Sequence, residues 1–126
     1  MSRPQIEFIP SQHGRPFSTA VRVGDVLYLS GQIGARSDGT LAGGFEAQAR
    51  QTMDNIAASL ALAGVSMADV FKATIMIADM ARWGEFNTIY LEYFNAGRLP
   101  ARSAFGAHGL ALGAEVEVEC WAYAPA

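Results

Sequence analysis

Residues 115–123, Glu-Val-Glu-Val-Glu-Cys-Trp-Ala-Tyr, constrain the fold more than any other segment of this chain. Their alternation is that of a β-strand, in which successive side chains point to opposite faces. Glu115, Glu117, Glu119, Trp121 and Tyr123 fall on one face, and Val116, Val118, Cys120 and Ala122 on the other. The valine face has to sit against helices. A glutamate face normally meets solvent. Trp121 and Tyr123 share it, however, which argues that part of it is covered.

Two stretches can supply the helical layer. Phe45, Ala49, Met53, Ile56 and Leu60 recur at spacings of three and four, one face of a helix, and Ala63-Gly64 ends it with glycine as a left-handed cap. Trp83, Phe86, Tyr90, Tyr93 and Phe94 mark a second amphipathic helix, with Asp79 available as its cap. Strands are expected at residues 6–8, 19–23, 26–30, 71–78 and 101–108, besides the last one. In the fourth of these, Phe71, Ala73, Ile75 and Ile77 alternate with Lys72, Thr74, Met76 and Ala78. Residues 31–44 read as a glycine-rich loop. The order β-β-β-α-β-α-β-β predicts an α+β fold, a mixed sheet with two helices packed on one face. Residues 26–29, Val-Leu-Tyr-Leu, are apolar on both faces, so the second sheet face is expected to meet another subunit.

Composition narrows the functions open to such a fold. A length of 126 residues predicts one domain, 1–126. Charged residues make up 17%, against a usual share of roughly 25%, which excludes disorder and again argues for surface buried beyond the monomer. The net charge is −3, Lys72 is the one lysine, and the arginines are scattered, so no basic cluster exists to follow a phosphate backbone and no nucleic-acid partner is expected. No apolar run approaches the roughly 20 residues of a membrane span, so no membrane partner is expected. Residues 1–10 lack the apolar region of a signal peptide, so a cytoplasmic location is expected. Cys120 is alone, which excludes an internal disulfide framework. Walker and dinucleotide-binding motifs are absent. His13, His108 and Cys120 show no metal-ligand spacing, and no metal or cofactor is expected.

In the strand at 101–108, Arg102, Ala104, Gly106 and His108 alternate with Ser103, Phe105 and Ala107. If Ser103, Phe105 and Ala107 face the helices, Arg102 shares a face with the glutamates of the last strand. Two roles are then open to it. It forms a plain ion pair, or its guanidinium fork holds a substrate carboxylate.

Residues 51–94, with Pro-Ala-Arg-Ser-Ala-Phe at 100–105, the last strand, and Val-Leu-Tyr-Leu-Ser-Gly-Gln-Ile-Gly at 26–34, closely resemble the RidA family, also called YjgF-type or, in older usage, endoribonuclease L-PSP. The match spans nearly the whole chain. The resemblance implies a chorismate-mutase-like α+β subunit in a homotrimer whose sheets form a central barrel, with sites in the clefts between subunits. It implies hydrolysis of 2-imino acids, or their enamine tautomers of the 2-aminoacrylate type, to 2-keto acids and ammonia, without metal or cofactor. By the same resemblance Arg102 clamps the substrate carboxylate and Glu117 activates water. Asn87, Gly31, the backbone of Ala104 and Phe17 complete the binding site. Phe17 stands where a tyrosine is common, and Ala104 where a cysteine is. A non-catalytic trimer that binds or senses small carboxylates is the alternative. A ribonuclease role, suggested only by the family's older name, and a chaperone role, attached to some family members, rank below these.

Overall fold

The computed structural model describes residues 4–125. Seven strands form one sheet: β1 (Ile6–Ile9), β2 (Ala20–Val23), β3 (Val26–Leu29), β4 (Gln32–Ile33), β5 (Val70–Ile77), β6 (Ala101–Gly106) and β7 (Val116–Tyr123). Their order is β1-β2-β3-β7-β5-β6, and the short β4 also pairs with β7. Only β5 and β6 run parallel. The two-residue β4 lies inside the expected glycine-rich loop. Its neighbour Gly34 comes so close to the backbone of Gln48 that any side chain there would collide with it.

Helices α1 (Phe45–Leu62) and α2 (Trp83–Leu91) cover one face of the sheet. Met53, Ile56 and Leu60 of α1 and Phe86 of α2 are fully buried against Leu27, Ile75, Val116 and Val118. Each such side chain contributes roughly 1.5–3 kcal/mol by leaving water. The α+β expectation of two helices on one face of a mixed sheet holds. So do the ends of α1, where Gly64 takes a φ of 77° beyond the last turn. Asp79 caps the short helical turn before α2 rather than α2 itself, its carboxylate accepting from the Ala81 N–H at 3.0 Å, and α2 starts after Arg82 without a side-chain cap. The second helix ends earlier than its aromatic spacing suggests. Tyr93 and Phe94 lie in the turn that follows it, still packed on the core.

Among the described residues the other face carries no helix. Ile6, Phe8, Val23, Tyr28, Phe71 and Tyr123 stand on it, each between 38% and 67% exposed. Among the described residues no helix is long and apolar enough to cross a membrane.

Candidate active site

The last strand keeps the alternation of its sequence. Val116, Val118, Cys120 and Ala122 are buried under the helices, while Glu117, Glu119 and Trp121 are half-buried on the open face. Burial pushes the Cys120 thiol up to about 12, with the Glu119 charge adding to it. Trp121 meets Tyr28 and Phe71 edge-on at centroid distances of 5.2 and 6.4 Å, and its indole N–H donates to Glu119 Oε1 at 3.1 Å. The face is thus partly covered from within the subunit, as the placement of Trp121 among glutamates predicts.

The Glu117 carboxylate has neither a hydrogen bond nor an ion pair among the described residues. Burial raises its carboxyl above the ordinary range, and the neighbouring Glu119 charge raises it further. It pairs across the sheet with Ile33 on one side and Met76 on the other. Gly31 sits directly against it, and a Cβ there would land on Glu117 Oε2. The Ser30 hydroxyl donates to the Ser18 carbonyl at 2.7 Å and the Ser30 N–H to the Thr19 carbonyl at 3.1 Å. These bonds bring the backbone that carries Phe17 alongside the Ser30–Gly31 turn, with Phe17 itself half exposed. Gly31, Glu117 and the Phe17 segment therefore converge.

Arg102 does not join them. The parallel register sets Arg102 opposite Ala73 and Ala104 opposite Ile75, and both partners point into the core. Arg102 and Ala104 consequently lie on the helix side of β6, while Lys72 of the open face donates to the Ser103 hydroxyl at 3.2 Å. The condition under which Arg102 shares a face with the glutamates, Ser103 and Phe105 turned to the helices, is not met. Alternation alone cannot orient an edge strand, and the pairing with β5 decides it. A second correction has a related cause. An irregularity between Val70 and Lys72 in the pairing with β7 turns Phe71 out onto the open face, and Val70 takes the buried position.

The Arg102 guanidinium carbon lies 4.6 Å from the ring centroid of Trp83 and 4.8 Å from that of Tyr90. No carboxylate partners it among the described residues. Trp83, Asn87 and Tyr90 occupy positions i, i+4 and i+7 of α2, one helical face. Asn87 Oδ1 and the Tyr90 hydroxyl are buried on this helix with no hydrogen-bond partner among the described residues. Burial pushes the Tyr90 phenol up to about 12 against the opposing effect of Arg102, so it remains a proton donor at neutral pH. The two rings around Arg102 were not among the expected site residues. The spacing of Trp83, Asn87 and Tyr90 was a usable cue, but it reads equally well as a core stripe.

The candidate residues therefore fall into two separate groups on the chain. Arg102, Ala104 and Asn87 belong to the β6–α2 edge, and Glu117, Gly31 and the Phe17 segment to the open face. Glu117 lies two strands across and three residues along from Arg102, roughly 14 Å between Cα atoms at standard sheet spacings, with the side chains on opposite faces.

The family model described as Endoribonuclease L-PSP matches residues 11–124. A 2-iminobutanoate/2-iminopropanoate deaminase of Mus musculus is 42% identical over 106 residues, 82% of this chain and 78% of that protein. A RutC family protein of Aquifex aeolicus is also 42% identical, over 82% of this chain and 85% of its own length. Among solved structures, RidA from an Antarctic Psychrobacter superposes with a TM-score of 0.85 at 34% identity, covering 96% of this chain and 99% of that one.

Proposed function

The chain belongs to the RidA family, the endoribonuclease L-PSP family of older usage, and from that premise we propose that it is a 2-imino acid deaminase acting at sites shared between subunits of a homotrimer. The observation that carries the reading is the pair of uncompensated charges, the Arg102 guanidinium and the Glu117 carboxylate, held apart on opposite faces of one subunit. Two such groups do not neutralise each other and are free to flank a ligand between chains. The exposed apolar face supports assembly. Burying it contributes roughly 25 cal/mol per Å² before the costs of association.

In this mechanism Arg102 of one subunit takes the substrate carboxylate in a two-point contact, assisted by the N–H of Ala104 on the edge strand. Asn87 accepts from the substrate's N–H. Glu117 of a neighbouring subunit, backed by Gly31, orients a water and takes one of its protons as the oxygen bonds to the imine carbon. The C=N π pair moves to nitrogen, which takes that same proton from Glu117, giving a carbinolamine. Glu117 then takes the carbinolamine hydroxyl proton and passes it to the nitrogen, the C–N bond breaks, and ammonia leaves as the C=O of the 2-keto acid forms. Water and imine are consumed one for one, and no redox step occurs. Phe17 forms an aromatic wall without a hydroxyl. General-base assistance of this kind contributes roughly 10²–10⁴-fold. The proposal includes a cytoplasmic location and no nucleic-acid or membrane partner.

The test generates 2-iminobutanoate in situ with an amino-acid oxidase in the presence of a semicarbazide trap. The protein is expected to divert the imine to 2-oxobutanoate and ammonia before it is trapped. Unchanged trapping at stoichiometric protein would reject the activity.

A further inference from the structure

We propose that Trp83 and Tyr90 are positioning residues, whose rings hold the Arg102 guanidinium so that its N–H fork is presented to a ligand carboxylate. The inference rests on the reading of Arg102 as the carboxylate anchor.

The other arginines with described side-chain partners show what is unusual here. Arg50 is bound by Glu46 and Glu92, Arg82 by Glu85, and Arg22 lies 3.6 Å from Glu7. Arg82 also lies over a ring, that of Phe45 at 5.3 Å, but its charge is met by a carboxylate. Arg102 alone in this group has two rings, both closer, and no carboxylate. A guanidinium against aromatic faces is held through its plane, which leaves the N–H edge available. Ala73, opposite Arg102 in the sheet, is small enough to leave the side chain a path to the helix side.

Of the three orphaned buried polar atoms among the described residues, the helix that supplies both rings carries two, the third being Arg22 Nε on β2. Tyr90 is 3% exposed, yet its hydroxyl has no partner, and neither has Asn87 Oδ1. Buried polar atoms are almost always paired, and leaving them unpaired is costly. A merely structural stack of Arg102 on α2 gives no reason for that cost. An oxoacid or imino acid against the Arg102 fork supplies an acceptor for the hydroxyl and, in the imine, a donor for the amide oxygen.

The test measures 2-oxobutanoate binding by calorimetry and imine turnover for the wild type, Trp83→Phe, Trp83→Leu, Tyr90→Phe, Arg102→Ala and the double variant Trp83→Leu/Arg102→Ala. Trp83→Leu is expected to weaken 2-oxobutanoate and raise KM by roughly 3–30-fold, with kcat changed far less. Trp83→Phe restores binding to within about threefold of wild type, because a ring face is retained. In the Arg102→Ala background Trp83→Leu has no further effect on binding. Wild-type affinity in Trp83→Leu, or the same loss with and without Arg102, would overturn the proposal. Should Trp83→Leu fail to fold, the wild type decides. The Arg102 Nε–H proton resonance, assigned by its loss in Arg102→Ala, is expected upfield from ring currents and to move on adding 2-oxobutanoate. An unshifted resonance that ignores the ligand would overturn the proposal as well. Coupled binding without turnover removes the deaminase reading and leaves this one standing. Turnover without coupling does the reverse, and a wild type that binds no 2-oxobutanoate removes the positioning role.

Discussion

Gly31 and Glu117 are packed so closely that the glycine's missing side chain is the space the carboxylate occupies. Gly31→Ala is therefore expected to displace the base without unfolding the sheet. Misplacing a catalytic group by about 1 Å costs on the order of 10² in rate. Turnover should fall by that order while the melting temperature and 2-oxobutanoate affinity stay near wild type. Full activity in Gly31→Ala would separate Glu117 from the chemistry.

A carboxylate serves as a base only when deprotonated, and both burial and Glu119 hold that of Glu117 above the ordinary 4.5. The acid limb of kcat/KM should lie above that value. Glu119→Gln should move the limb to lower pH while burial keeps part of the shift. Glu117→Gln should lose roughly 10²-fold or more in kcat and still bind 2-oxobutanoate. The sign for stability is opposite to that of activity. The folded protein holds this proton more tightly than the unfolded chain, so the group's contribution is present at low pH and lost as pH rises through the raised value. A pH–rate profile and a pH–melting series on the same variants check both signs.

Cys120 is fully buried and its thiol is pushed up to about 12, chiefly by burial. A protonated thiol shielded from solvent is not a nucleophile. Ellman's reagent should leave the native protein untouched and titrate one thiol per chain in guanidinium chloride. Rapid labelling of the folded protein would show that the helix layer opens.

Much of the fold was legible because its periodicities are strict. The spacing from Phe45 to Leu60 and the alternation from Glu115 to Tyr123 each admit one arrangement. What local pattern could not supply was orientation at an edge. Arg102 and Ser103 alternate equally well in either sense, and only the parallel pairing with β5 puts Arg102 over Trp83 and Tyr90. The register irregularity that turns out Phe71 depends on the pairing with β7, not on the residues of β5 alone. Within the sequence, the family resemblance is what points to the candidate site residues. Their separation onto opposite faces depends on sheet order, which no single segment encodes.

The apolar strand β3 and its neighbours expose Tyr28, Phe8 and Tyr123 on a face without helices. Light scattering at micromolar protein should give a trimer mass. Tyr28→Glu, which places a charge in the middle of that face, should shift the mass towards the monomer. A monomeric wild type would remove the shared site.

The central claim is that Arg102 of one subunit and Glu117 of another serve the same substrate, and subunit complementation tests it most directly. Arg102→Ala and Glu117→Gln are each expected to be inactive alone as folded oligomers. Unfolded and refolded together at equal concentration, they form mixed oligomers in which about a quarter of the interfaces join an intact Arg102 to an intact Glu117. Imine hydrolysis should then return to about a quarter of the wild-type rate. Mixed oligomers with no regained activity would contradict the account, as would full activity in either variant alone.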